Sequence, residues 1–192
     1  QSADIGIKGD RIATIGDLSK ASANVEHDAA NRIVAPGFID VHTHDDHALL
    51  SKPDMSYKTS QGVTTVVAGN CGVSLAPLRF VGDRPPPPLD LLGDGYKFPH
   101  MSEFFSAIDA NPAATNAALL CGHTTLRVGA MDELQRPATD TEIDAMRDNL
   151  AEALDAGVVG LSTGLAYEPA KPAPTSEILK LAELLGPASA LY

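Results

Sequence analysis

The chain has 192 residues, of which 44% are hydrophobic and 20% charged, with a formal net charge of −11. That length is enough for one domain with a sizeable core. The negative charge argues against nucleic acid and anionic membrane surfaces as partners, and no apolar run approaches the ~18 residues of a transmembrane span. No signal peptide is recognisable. The two cysteines, Cys71 and Cys121, make no disulfide framework, so a cytoplasmic location is the default expectation. The first residue is Gln1 rather than Met, and the natural start is expected to lie upstream.

Residues 4–16 read as a β-hairpin, with Ile5 and Ile7 alternating, Gly9-Asp10 as the turn and Ile12 to Ile15 returning. Two strands alone are marginal, so the hairpin needs a partner sheet. Residues 17–35 read as a connection with one short strand ending at Val34. Pro36-Gly37 then punctuates the backbone, and residues 37–44 read as a buried strand. Alternation places Ile39, Val41 and Thr43 on one face and Phe38, Asp40, His42 and His44 on the other. Residues 54–61 predict a short helix stopped by Gly62. The β-branched run 63–71 predicts a strand buried on both faces and ending at Cys71.

Residues 72–99 read as a long loop without regular elements. Pro85 to Pro88 favour polyproline II, and the loop's length points to a lid or wall of a site. Ser102 is the expected cap of a helix running to Ala110, stopped by Asn111-Pro112. Residues 117–121 predict a strand that ends in Gly122-His123. Thr139 and Glu142 form a capping box, and Ile143, Met146, Leu150 and Ala153/Leu154 give one apolar stripe closed by Gly157. Residues 158–162 predict a strand, followed by a Pro-rich loop around Tyr167. Thr175 is the expected cap of a helix carrying Ile178, Leu179, Ala182 and Leu185, ended by Gly186. Ser189 to Tyr192 begins another strand. Alternating strands and helices imply a parallel sheet with helical crossovers. A doubly wound sheet fits that pattern; the early His-x-His favours half of a (β/α)8 barrel.

The chemistry concentrates at strand ends. His42 and His44 share a face ~7 Å apart and can converge on a metal ion. Asp45, Asp46 and His47 make that end polar; the plainer alternative is an ordinary surface pair. Cys71 follows His44 by 27 residues (71 − 44) at the end of the next strand, and adjacent parallel strands bring those ends together. A thiolate there is a good zinc ligand, while a buried small hydrophobe is an equal alternative. His123 can line the site from the third strand, although a hydrogen-bonded structural histidine is the favoured reading. His27 and His100 sit in loops with no assigned role, and Cys121 reads as core.

Gly37-Phe38-Ile39-Asp40-Val41-His42-Thr43-His44 resembles the first barrel strand of the amidohydrolase superfamily. The following Asp45-Asp46 narrows the resemblance to the D-aminoacylase (N-acyl-D-amino-acid deacylase) family. Residues 62–77, 86–93, 122–127 and 160–167 are similar to further segments of that family, so the likeness covers nearly the whole chain. It implies an α/β fold: a partial (β/α)8 TIM-like barrel of the amidohydrolase type. Residues 1–34 would be the N-terminal part of a small β-sandwich domain and 35–192 the first half of the barrel, the chain being truncated.

The resemblance also implies zinc, as one or two divalent ions. His42, His44 and Cys71 would be its ligands, with Cys71 holding or bridging the principal ion. Tyr167 falls where the family places a substrate-contacting tyrosine, with a loop aromatic packed on the barrel mouth as the alternative. The implied reaction is hydrolysis of the amide bond of N-acyl-D-amino acids to a carboxylate and a D-amino acid. The metal lowers the pKa of water and polarises the carbonyl. The family's later metal histidines, its catalytic aspartate and its basic substrate-carboxylate residues have no counterpart in these 192 residues. No catalytic residue is therefore identified in this chain, and alone it is expected to be inactive without the missing C-terminal half of the barrel. Two alternatives stand: a cyclic-amide hydrolase of the dihydropyrimidinase type, disfavoured by Asn70-Cys71-Gly72, and a non-catalytic truncated half barrel.

Overall fold

A computed structural model describes residues 3–80, 84–93 and 97–192. It divides into two compact units, residues 1–36 and 37–192. In the first unit, β1 (Asp4–Lys8) pairs antiparallel with β2 (Arg11–Gly16), with an irregularity between Gly6 and Ile7. The turn needs a positive φ at Gly9 (62°), which glycine adopts at little cost. The strand expected to end at Val34 does not form. Ile33 and Val34 are exposed, and no neighbouring strand pairs with them among the described residues.

The second unit is built on four parallel strands: β3 (Phe38–Asp40), β4 (Val63–Ala68), β5 (Asn116–Gly122) and β6 (Gly160–Ser162). Their order in the sheet is β3-β4-β5-β6, so every pair is a sequence neighbour joined by a crossover. Helices α1 (Ala48–Ser51) and α2 (Ser56–Thr59) lie between β3 and β4, and α3 (Met101–Ala110) between β4 and β5. Helices α4 (His123–Ala130) and α5 (Asp140–Ala156) join β5 to β6, and α6 (Thr175–Ala182) follows. Leu191 bridges to Gly160 in parallel, so the chain's last residues begin to pair on β6. This is the half-barrel sheet that the βα alternation predicted.

The core lies between strands and helices. Val66, Ala68, Leu119, Cys121 and Leu161 join Leu49, Phe104, Met146, Leu150 and Leu181, all at most 2% exposed. Each large side chain among them contributes about 1.5–3 kcal/mol by leaving water. Helix α5 shows how sequence sets an element. Thr139 accepts a hydrogen bond from the Glu142 amide, and the Glu142 carboxylate accepts one from the Thr139 amide. Gly157 ends the helix at φ 115° with its N–H on the Ala153 and Leu154 carbonyls.

Several boundaries differ from the expectations. The first barrel strand is short, Phe38–Asp40, and of the expected strand Ile39 (59% exposed) and Val41 (69% exposed) are not buried, whereas Thr43 is. Strand β4 ends at Ala68, before Cys71. Helix α3 starts at Met101 with His100 as its cap, and α6 starts at Thr175 with Pro174 as its cap, so Ser102 and Thr175 sit inside the helices. Leu179 lies on the exposed face of α6. Part of the long loop is core rather than lid: Val73, Leu75, Ala76 and Leu78 are buried. A 3-10 turn forms at Leu89–Leu92, where no regular element was expected. Pro88, at φ −89° and ψ 5°, is not polyproline II. Among the described residues, no helix is long and apolar enough to cross a membrane.

Candidate metal centre

His42 and His44 follow directly on β3, and Cys71 lies in the turn after β4. Parallel pairing of the two strands sets these segments side by side. One ligand atom from each of His42, His44 and Cys71 lies within 4.8 Å of the others. His42 Nε2 is 3.1 Å from Cys71 Sγ. The two imidazoles meet edge to face, with centroids 6.0 Å apart. Both histidines are exposed, whereas Cys71 is half-buried. Two imidazole nitrogens and one cysteine sulfur form a donor set of the kind that suits zinc.

The cysteine is held by backbone. Cys71 adopts φ 56°, an uncommon conformation for a residue with a side chain. The turn around it is bound from several elements. The Asp46 carboxylate, 1% exposed, accepts from the Gly69 amide (3.1 Å) and the Leu75 amide (3.3 Å). The Ser162 hydroxyl at the end of β6 accepts from the Gly72 amide (2.9 Å) and donates to the Gly69 carbonyl. The Asn70 side-chain amide donates to the Val67 carbonyl (2.7 Å) and the Thr43 carbonyl (3.3 Å), tying the turn to the histidine segment. Gly164 packs so closely that a Cβ there would overlap the Cys71 carbonyl.

The histidines are held by charge. The His42 amide donates to Asp40 Oδ1 at 3.2 Å. Lys58 on α2 joins Asp40 (2.6 Å) to Asp45 (3.0 Å), and Asp45 accepts from the hydroxyls of Thr43 (2.6 Å) and Tyr57 (3.0 Å). The Lys58 bond holds the Asp40 carboxyl below the usual carboxylate range. Partial desolvation of the ring, then the neighbouring His42, hold His44 below the usual imidazole range, which favours the form with a lone pair to offer. Burial and the Asp45 bond push the Tyr57 phenol up to about 12. Asp46, removed from water, is pushed up to about 6.

Residues 25–185 match the sequence profile described as the Amidohydrolase family. The chain belongs to the amidohydrolase family. Over 192 residues it is 53% identical to a D-aminoacylase of Alcaligenes xylosoxydans xylosoxydans, covering 99% of this chain and 39% of the relative. A D-aminoacylase structure that addresses its binuclear metal centre superposes with a TM-score of 0.94 at 50% identity, covering 99% of this chain and 40% of that one. The N-acyl-D-glutamate deacylase of Bordetella bronchiseptica, solved with zinc and a phosphonate inhibitor, gives 0.92 at 47% identity, covering 98% and 40%. The resemblance read from the motifs holds along the chain. These 192 residues span about 40% of the length of those relatives.

Elsewhere in this amidohydrolase half-barrel the expected residues separate. Tyr167 is half-buried, and its ring packs against Gly164, which itself abuts the Cys71 turn. His123 stands apart from the cluster. It is fully buried at the start of α4, with Nε2 2.8 Å from Glu177, which also takes two bonds from Arg127 (2.6 and 2.8 Å). Burial works to raise the Glu177 pKa, and the bonds from His123 and Arg127 outweigh it, so the net direction is down. Cys121 is fully buried in the core, and burial pushes its thiol up. His100 meets Glu152 at the surface, and His27 is exposed. The supports from Asp46, Ser162 and Lys58 were not assigned from the sequence. The Asp45-Asp46 pair and the Gly69-Asn70-Cys71-Gly72 turn were the available signals.

Proposed function

We propose that these residues are the N-terminal part of a zinc-dependent amidohydrolase that cleaves N-acyl-D-amino acids to a carboxylate and a D-amino acid. The observation that carries the reading is the convergence of His42, His44 and Cys71 within 4.8 Å. They are the ligand set, for one or two divalent ions. When bound, the metal supplies Lewis-acid polarisation of the amide carbonyl and acidification of water. The chain's own contribution is to hold His44 and a backbone-fixed Cys71 at adjoining strand ends, with Lys58 and Asp40 fixing the His42 segment. Tyr167, beside the Cys71 turn, is the substrate-facing wall. Residues 1–34 contribute strands to a small β-sandwich, and 35–192 form the first half of a TIM-type barrel. Further metal ligands and the acid/base group come from sequence outside these residues. The protein acts in the cytoplasm.

The test uses a chain extended to the length of its relatives. Bound zinc is measured by elemental analysis, and D-amino acid release is assayed from N-acetyl-D- and N-acetyl-L-amino acids. The expected result is zinc-dependent, D-selective release, with zinc content reduced in Cys71→Ala. Turnover of cyclic amides instead, or zinc content unchanged in Cys71→Ala, would overturn the reading.

A further inference from the structure

We propose that Asp46 is the positioning residue of the metal centre: its carboxylate sets Cys71 at the distance and angle from His42 and His44 that metal binding requires. The proposal rests on the reading of Cys71 as a ligand. Asp46 lies two residues after His44, and its two oxygens bind amides on either side of Cys71, Gly69 N through Oδ2 and Leu75 N through Oδ1. One side chain therefore fastens the histidine segment to the cysteine turn. The carboxylate is buried, where a charged group is costly unless its bonds are specific.

The chemistry singles out a carboxylate. Both backbone groups are donors, so both atoms facing them must accept. Asparagine has the same shape but one acceptor, and its NH2 would confront an N–H. The turn also needs outside support, because Cys71 sits at φ 56°. Ser162 supplies an independent clamp on Gly69 and Gly72, through a carbonyl and an amide that Asp46 does not touch. With Asp46 altered, Ser162 keeps the turn attached to the sheet and Asn70 keeps one bond to the Thr43 carbonyl, while the amides of Gly69 and Leu75 on either side of Cys71 lose their common anchor.

The experiment compares the natural protein with Asp46→Asn and Asp46→Ser, using Zn2+ for affinity and Co2+ as a spectroscopic probe. Circular dichroism reports folding. Natural protein loaded with Co2+ shows thiolate-to-cobalt charge transfer in the near ultraviolet beside the visible d–d bands. Both variants are expected to fold, to bind Zn2+ about 10–100-fold more weakly, and to lose charge-transfer intensity even at saturating Co2+. A role confined to stability would lower the melting temperature and leave the saturated spectrum intact. That result, or unchanged affinity, overturns the proposal. Failure of both variants to fold also overturns it, since Asp46 would then be a folding residue. Absence of the charge-transfer band in the natural protein is a separate outcome, which fails the reading of Cys71 as a ligand.

Discussion

Cys71 and the His42–His44 pair meet in one cluster but are held by different means. The Cys71 turn is bound through its own backbone: its amides donate to Asp46 and Ser162, buried and half-buried side chains, and its Gly69 carbonyl accepts from Ser162. Behind it, the Thr125 amide at the start of α4 reaches the Gly72 carbonyl. The histidines project from a sheet edge beside exposed Ile39 and Val41, steadied by the Asp40–Lys58–Asp45 ion network. Hydrogen bonds to backbone fix direction as well as distance, whereas ion pairs tolerate reorientation. The contrast is between a turn fixed through its own backbone from several elements and a histidine segment held by an ion network and, through Thr43, by the Val67 carbonyl and the Asn70 side chain.

Breaking the scaffold behind the fixed side should give the largest effect. Arg127 is fully buried, and besides Glu177 it binds the carbonyls of Pro169, Leu134 and Arg136. Arg127→Met leaves Glu177 buried without its main counter-charge, and urea denaturation should show a loss of about 3–5 kcal/mol. A loss below about 1 kcal/mol would mean that α4 does not carry the turn. Next comes Gly164→Ala, whose methyl overlaps the Cys71 carbonyl. It should cost about 1–3 kcal/mol and weaken Zn2+ binding in a chelator competition; unchanged affinity would count against a rigid cysteine side.

A smaller effect belongs to Glu142, remote from the cluster. Bonds from Arg136, then from the Thr139 amide, hold its carboxyl down at about 2, against 4.5 ordinarily. The folded-state pKa is depressed, so its contribution is complete above pH 4.5 and is lost as pH falls towards 2. Glu142→Gln should cost about 1 kcal/mol at neutral pH and progressively less in acid, read from melting temperatures across that range. A constant difference at all pH would show that the cap works without the charge. Smallest of all, Val41→Ser at the exposed edge should shift the stability of the 192-residue chain by no more than about 0.5 kcal/mol. A larger loss would show that the edge is packed and that the contrast with the Cys71 side is overdrawn.

The same contrast explains what could be read from the sequence. The β-branched run Val63 to Val67 and the α5 capping box are local signals, and both elements formed where they pointed. The pairing of the His42 and Cys71 segments followed from the parallel alternation alone. The turn holding Cys71 was misread as strand because the β-branched run outweighed Gly69, Asn70 and Gly72, which are turn residues. Helix α4 was missed for a different reason. His123, Thr124, Thr125 and Arg127 make no apolar stripe, yet all are buried. Apart from the carbonyls of Leu134 and Arg136 that Arg127 also reaches, the side-chain partners lie far along the chain: Glu177 and Pro169 for His123 and Arg127, Ser74 for Thr125. Distances of 42 to 54 residues leave no periodicity to detect. The exposure of Ile39 and Val41 was equally illegible, since alternation says which residues share a face but not what covers it.

Sequential strand order has a consequence for how the protein is made. Each strand of the second unit docks on the one translated before it, so every loop that must close spans a single crossover. The three donors all leave the ribosome between residues 42 and 71, while the Ser162 hydroxyl that locks the cysteine turn is synthesised some 90 residues after it. The candidate donors therefore emerge before the Ser162 clamp on the turn during vectorial synthesis. The Ser162 clamp therefore closes last, on a turn that Asp46 and Asn70 already tie to the histidine segment.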